Sequence, residues 1–216
     1  ADWYGKSQTI LTKYPDGNEP IQSDRSLASL KSARQKRIPF VFRTDNEVYI
    51  DRSANIAEEF DLNLWIKGNG YEYRRIDEMP ASFMIVPLNF AAKPEVDDPY
   101  NALQYSTEQL KHWDMAPDNA AKLAAAAFQF AFTSDGLKNK SDFRKNLSRV
   151  VNRGLSESNA LAALTTNPAK ELGESKRLGK VAPGFIANLV ITDGNYFDEK
   201  SKVNTVWIDG NKYDVA

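Results

Sequence analysis

IPFVFRTDNEVYIDRSANIAEEFDLNLWIKG, residues 38–68, is the stretch that decides the architecture. It opens on the apolar run Phe40-Val41-Phe42, which reads as a buried strand. Ile50, Ala54, Ala57 and Phe60 then recur at helical spacing, and Leu62 to Ile66 is apolar again. A strand, a helix and a second strand within about thirty residues make a β/α unit whose two strands run parallel.

The same alternation continues downstream. Tyr73 to Asp77 reads as a short helix and Ser82 to Leu88 as a third strand, followed by a loop over 89–97 with Pro94. Asn101 to Trp113 and Pro117 to Ala127 read as helices, the second with proline at its start. Phe128 to Thr133 reads as a fourth strand, and Phe143, Leu147, Val150 and Val151 mark one face of an amphipathic helix. Strands that are apolar throughout suit a parallel sheet covered by helices. Upstream, residues 1–23 are polar and broken by Pro15, Gly17 and Pro20. A helix is expected from about Asp24, ending before Pro39.

The tail reads differently. Ser156 is a suitable N-cap for a helix to Leu164, Asn167 and Pro168 suit a helix restart, and Gly173 suits its stop. Pro183-Gly184 fits a tight turn. Leu189 to Thr192 and Thr205 to Ile208 read as strands, and Asp209-Gly210 fits a hairpin turn into Lys212 to Val215. The expected division is a lead-in over 1–23, an α/β body over 24–173 and a small β unit over 174–216.

Composition narrows the function classes. With 42% hydrophobic residues, the chain has enough apolar material for a globular core. Twenty-eight Lys and Arg against 29 Asp and Glu leave no electrostatic case for nucleic acid or an anionic membrane. No apolar run approaches the ~20 residues of a membrane helix. Zero cysteines exclude disulfides, thiol catalysis and cysteine-ligated metal. The first residues, ADWYGKSQTI, lack an initiating Met and a hydrophobic signal core, so the sequence reads as beginning inside a longer protein.

The ordered series from Gly154 to Gly210, GLSESNALAALTTNPAKELGESKRLGKVAPGFIANLVITDG and then VNTVWIDG, resembles the C-terminal end of the amidohydrolase superfamily, nearest to its imidazolonepropionase-like members. Residues 38–68 look like the fifth and sixth strands of the amidohydrolase barrel. HWDMAPDNAAKLAAAAFQFAFTSDG, residues 112–136, looks like the segment entering the eighth. The resemblance implies an α/β fold, the second half of a (β/α)8 TIM-type barrel with a small β-sandwich unit appended from the C-terminal strands. It implies a parent class that hydrolyses C–N bonds in amide or cyclic amide substrates with zinc or another divalent ion. In that family a histidine closes the fifth strand, another closes the sixth, and an aspartate closes the eighth.

By that correspondence Arg43 stands at or beside the first histidine position, Lys67 takes the second, and Asp135 keeps the aspartate. Arginine offers no lone pair, and lysine must first lose its proton. One aspartate does not make the three protein ligands of a catalytic zinc. No metal ligand set and no other cofactor is therefore expected in this chain. Asp135 has two readings: the family's ligand and proton shuttle, or a carboxylate that caps the turn or pairs with a cation. The sharper expectation is that Arg43 and Lys67 supply the charge of the ion and both pair with Asp135. His112, the single histidine, is expected at the wrong end of its β/α unit and outside the site. Asp45, Asn46 and Glu47 are either pocket-mouth residues or ordinary loop polars. The run Tyr71 to Arg75 mixes aromatics with cations, as sugar or peptide sites do, or is a solvated helix start.

The leading expectation is thus an amidohydrolase-like C-terminal portion, inactive alone and degenerate as an enzyme. A non-catalytic binding or assembly module and a metal-free acid–base hydrolase using Asp135 are the alternatives. A half barrel leaves open strand edges. The expected partner is the missing N-terminal half or a homodimer mate.

Overall fold

Four parallel strands form the first sheet: β1 (Phe40–Arg43), β2 (Leu64–Lys67), β3 (Phe83–Pro87) and β4 (Phe130–Thr133), hydrogen-bonded in sequence order. The computed structural model describes residues 38–215. The lead-in over 1–23 and the helix expected from Asp24 fall outside the described residues. Sequential order without a reversal matches a singly wound sheet of β/α units, as in a barrel wall, rather than a doubly wound sheet with a switch point.

Strand register sorts the side chains into two faces. Leu64, Ile66, Met84, Val86, Phe130 and Phe132 face the helices and join the main core with Ile50, Leu123, Leu147 and Val150. Burying a side chain of that size contributes about 1.5–3 kcal/mol. The other face carries Val41, Arg43, Trp65, Lys67, Phe83, Ile85 and Ala131, with Trp65, Phe83 and Ala131 packed as a second small cluster.

Helix α1 (Val48–Glu59) buries Ile50 and Ala57 against β2, as its spacing demands. The single helix expected over 101–113 is instead two: α2 (Pro99–Ala102) and α3 (Thr107–Met115). The break falls at Ser106. Its hydroxyl accepts from Gln109 N while the Gln109 side chain accepts from Ser106 N, a reciprocal cap that starts a new helix. A 3₁₀ turn over Ala116–Asp118 leads into α4 (Asn119–Ala125). Then α5 (Asp142–Asn152) buries Leu147 and Val150, and α6 (Glu157–Leu164) starts on the expected Ser156 cap.

The expected Asn167 cap is not made. Helix α7 (Thr166–Glu171) begins two residues earlier, and the Asn167 amide donates to the Phe130 carbonyl, tying the helix to β4. The second sheet is antiparallel: β5 (Leu189–Thr192), β6 (Val203–Ile208) and β7 (Asn211–Asp214). Asp209 and Gly210 both have positive φ, 49° and 81°, the conformation of a type I′ hairpin turn. Arg144 of α5 fixes the loop between β5 and β6. It donates to the carbonyls of Tyr196 and Asp198 and to the Ser201 hydroxyl, while Tyr196 and Phe197 pack on the main core.

Candidate functional site

Because β1 to β4 run parallel, their last residues lie along one edge. Arg43 pairs in register with Lys67, and both side chains emerge from the face opposite the helices. Asp135 follows β4 by two residues. Its backbone N–H donates to Thr133 Oγ1 at 3.1 Å, which shapes the turn before Gly136, where φ is +82°.

The structure brings two of the three expected residues together. The Lys67 ammonium is in direct ionic contact with Asp135 Oδ2. Arg43 does not join them. Its Nε lies 3.5 Å from Asp45 Oδ1, and both side chains are strongly exposed. The expectation that both cations pair with Asp135 is corrected to Lys67 alone. Arg43 has a carboxylate two residues along its own loop and binds it with little chain ordering. Lys67 is only 18% exposed, so desolvation first and Arg43 second hold its amine below the ordinary lysine range, with Asp45 opposing. The Asp135 carboxylate supplies the counter-charge that keeps the ammonium at this position.

The loop after β2 is held by a group that sequence reading missed. Glu72 is fully buried, with Oε1 accepting from Asn69 N at 2.7 Å and Gly70 N at 3.1 Å. Its Oε2 accepts from Asn119 Nδ2 at 2.6 Å, and Asn119 Oδ1 accepts from Tyr73 N at 2.8 Å. This locks the segment after Lys67 onto the start of α4. A side chain at Gly68 would run into the Glu72 carboxylate. The run 71–75 is therefore not a solvated helix start but a 3₁₀ turn, Glu72–Arg74, around a buried acid, with a second 3₁₀ turn, Ile76–Glu78, following it.

His112 also needs correction. A helix that packs antiparallel to the strands begins at their C-terminal ends, so the segment before α4 lies at the same edge as Lys67. His112 stacks on Tyr71, with ring centroids 3.5 Å apart and planes 7° from parallel, and its Nδ1 is 3.3 Å from the Tyr73 hydroxyl. Desolvation, then Arg74, hold the imidazole below its ordinary pKa, with Glu47 and Glu108 opposing. Arg74 closes the cluster: it lies 4.5 Å over Tyr71, 3.2 Å from Glu47 and 2.8 Å from Glu108. Glu47 is thus consumed by Arg74, Asp45 by Arg43, and the Asn46 Oδ1 accepts from Val48 N at 2.8 Å in the turn before α1. These are loop polars with structural partners.

A divalent ion needs several lone-pair donors converging on one point. Among the described residues no three His, Cys, Asp or Glu side chains converge in that way. The strand ends offer two cations and two carboxylates, Asp45 and Asp135, each already in contact with one of the cations. That donor set does not fit a divalent ion.

Residues 99–213, just over half of the chain, match the amidohydrolase family pattern. The chain belongs to the amidohydrolase family. As an amidohydrolase it is similar to a solved amidohydrolase from Thermotoga maritima MSB8, with 26% identity and a TM-score of 0.73, over 99% of this chain and 53% of that one. A Xaa-Pro dipeptidase with bound methionine shares the fold at TM-score 0.60 and 17% identity, over 93% of this chain and 51% of that one. A prolidase complexed with N-methylphosphonate-L-proline does so at TM-score 0.58 and 20% identity, over 87% and 48%. Amidohydrolase tasK of Hapsidospora irregularis is 44% identical over 57 residues, 26% of this chain and 6% of that protein. This amidohydrolase chain spans about half the length of the solved structures it matches.

Proposed function

We propose that this chain is the second half of an amidohydrolase-type (β/α)8 barrel with C-terminal β-sandwich strands, a degenerate enzyme that performs no hydrolysis by itself. The observation that carries the reading is the Lys67 ammonium resting on Asp135, the one strand-end carboxylate that matches the family's ligand pattern. The parent class of reaction is hydrolysis of C–N bonds in amides or cyclic amides. The decisive experiment measures bound zinc after incubation with the ion, and turnover of cyclic amides and C-terminal-proline dipeptides. Zinc at one per chain together with turnover lost in Asp135→Ala would overturn the reading; neither bound zinc nor turnover is expected.

A second reading, a binding or assembly module, is favoured by the sheet face opposite the helices. Trp65 and Phe83 are buried there while Val41 on edge strand β1 is 53% exposed. The proposed complement is a second copy of this chain, covering β1. Light scattering on the purified chain tests it, since a stable monomer at 24.3 kDa sinks it. A metal-free acid–base hydrolase centred on Asp135 is the weaker reading, because that carboxylate is committed to Lys67.

A further inference from the structure

A cleft of about 660 Å³ lies between the loops that leave β3 and β4 and one side of α5. Its lining includes Lys93 from the first loop, Lys138 from the second, and Lys145 and Arg149, one turn apart on α5. On that helix they stand away from the core residues Leu147 and Val150. Among the described residues none of these four cations has an ion-pair partner. Arg149 is held instead by rings, its guanidinium carbon 5.5 Å from the centroids of both Phe90 and Trp113. Its donor fork thus remains available for a further acceptor. Arg153, in the same cleft, is the contrast: Asp118 at 2.5 Å and Asp114 at 3.3 Å neutralise it. Asp142 and Glu199 also line the cleft and reduce its positive potential without pairing to the four cations.

The chain as a whole carries a formal net charge of -1, so this is a local concentration of unpaired positive charge in a concave site. Phe90 and Leu137 add an apolar wall. We propose that the cleft binds a phosphate group, free or carried on a small organic molecule, with Lys93, Lys138, Lys145 and Arg149 as its donors. Three point charges and one planar fork suit the several oxygens of a tetrahedral oxyanion. Barrel folds often hold phosphate on the loops after their last two strands. Only that comparison draws on the barrel reading above; the charges and the cleft stand without it, whatever the zinc and turnover measurements give.

The test titrates the full chain with inorganic phosphate and with phenyl phosphate at about 0.15 M salt, where weak surface attraction is screened. Amide chemical shifts are followed by NMR. Saturable shifts confined to residues 89–93 and 136–149 are expected, about fivefold weaker in the Lys138→Gln/Lys145→Gln double variant. Both lysines are exposed, and an unchanged far-UV spectrum will show that the variant folds. Tighter binding of phenyl phosphate identifies a phosphorylated organic ligand, and equal binding identifies phosphate itself. Shifts that never saturate for either probe, or that are unchanged in the double variant, overturn the proposal.

Discussion

Replacing Glu72 with glutamine tests whether the loop after β2 depends on a buried acceptor. Glu72 accepts on both oxygens: from Asn69 N and Gly70 N on one, and from Asn119 Nδ2 on the other. Asn119 has no freedom to turn its amide round, because its Oδ1 already accepts from Tyr73 N at 2.8 Å. In Glu72→Gln one end of the side chain becomes an NH₂, and at either orientation it meets a donor. The lost interaction is a hydrogen bond to a charged acceptor, about 1.5–3 kcal/mol. Some of that is offset because a carboxylate no longer has to be desolvated. The expected net loss is about 2 kcal/mol, or roughly 4–8 °C in Tm for a chain of this size. Asn119→Ala removes two bonds and is expected to cost about 2–4 kcal/mol. The double variant should cost less than the sum, because both act on one network. Urea unfolding followed by circular dichroism measures all three, with the slope on denaturant unchanged. A Glu72→Gln loss under about 0.5 kcal/mol would refute the argument, since water would then be serving the loop's N–H groups equally well.

Three further outcomes follow from the same geometry. Asp135 is 54% exposed and Lys67 only 18%, so Asp135→Asn should cost about 1 kcal/mol and Lys67→Met about half that or less; equal costs in a urea titration contradict the asymmetry. The folded His112 titrates below its ordinary 6.5, so the unfolded chain takes up a proton first as pH falls. The contribution of His112 to stability is full above its ordinary pKa and drains as pH falls from there to the lower folded value. His112→Phe, which keeps a flat ring on Tyr71, should flatten that slope, and a variant with the parent's slope would count against it. Gly210→Ala forces a side chain into φ +81° and should cost about 1 kcal/mol, read as a lower urea midpoint.

Periodicity made most of the fold legible. Ile50 and Ala57 are spaced to bury one face of α1, and they do; Leu147 and Val150 do the same for α5. Asp209-Gly210 specified its own turn, because two consecutive residues at positive φ leave few alternatives. What failed was capping, where side chains compete for the same backbone groups. Ser106 lies inside an apparently continuous helical run, yet its hydroxyl caps the start of a new helix, four residues after the first one ends at Ala102. Asn167 looks like a cap, but its amide finds the Phe130 carbonyl, an acceptor visible only once β4 and α7 are side by side.

The candidate site divides along the same line. That Arg43, Lys67 and Asp135 share an edge was legible, because parallel strands place their last residues together whatever the details. Which cation meets the carboxylate was not, since it depends on the Thr133 hydroxyl shaping the Ser134-Asp135-Gly136 turn and on Asp45 offering Arg43 a nearer partner. Glu72 carried no signal at all: an acid in a run of tyrosines and arginines reads as surface until its donors, one of them 47 positions away on Asn119, converge on it. The resulting charge arrangement limits the chemistry of the edge. Lys67 is balanced by Asp135 and Arg43 by Asp45. On the proposed reading, a divalent cation arriving at Asp135 would first have to displace the Lys67 ammonium and then stand beside it. Each step opposes binding, and neither is relieved by a neutral imidazole, because His112 is already stacked on Tyr71 and in contact with the Tyr73 hydroxyl.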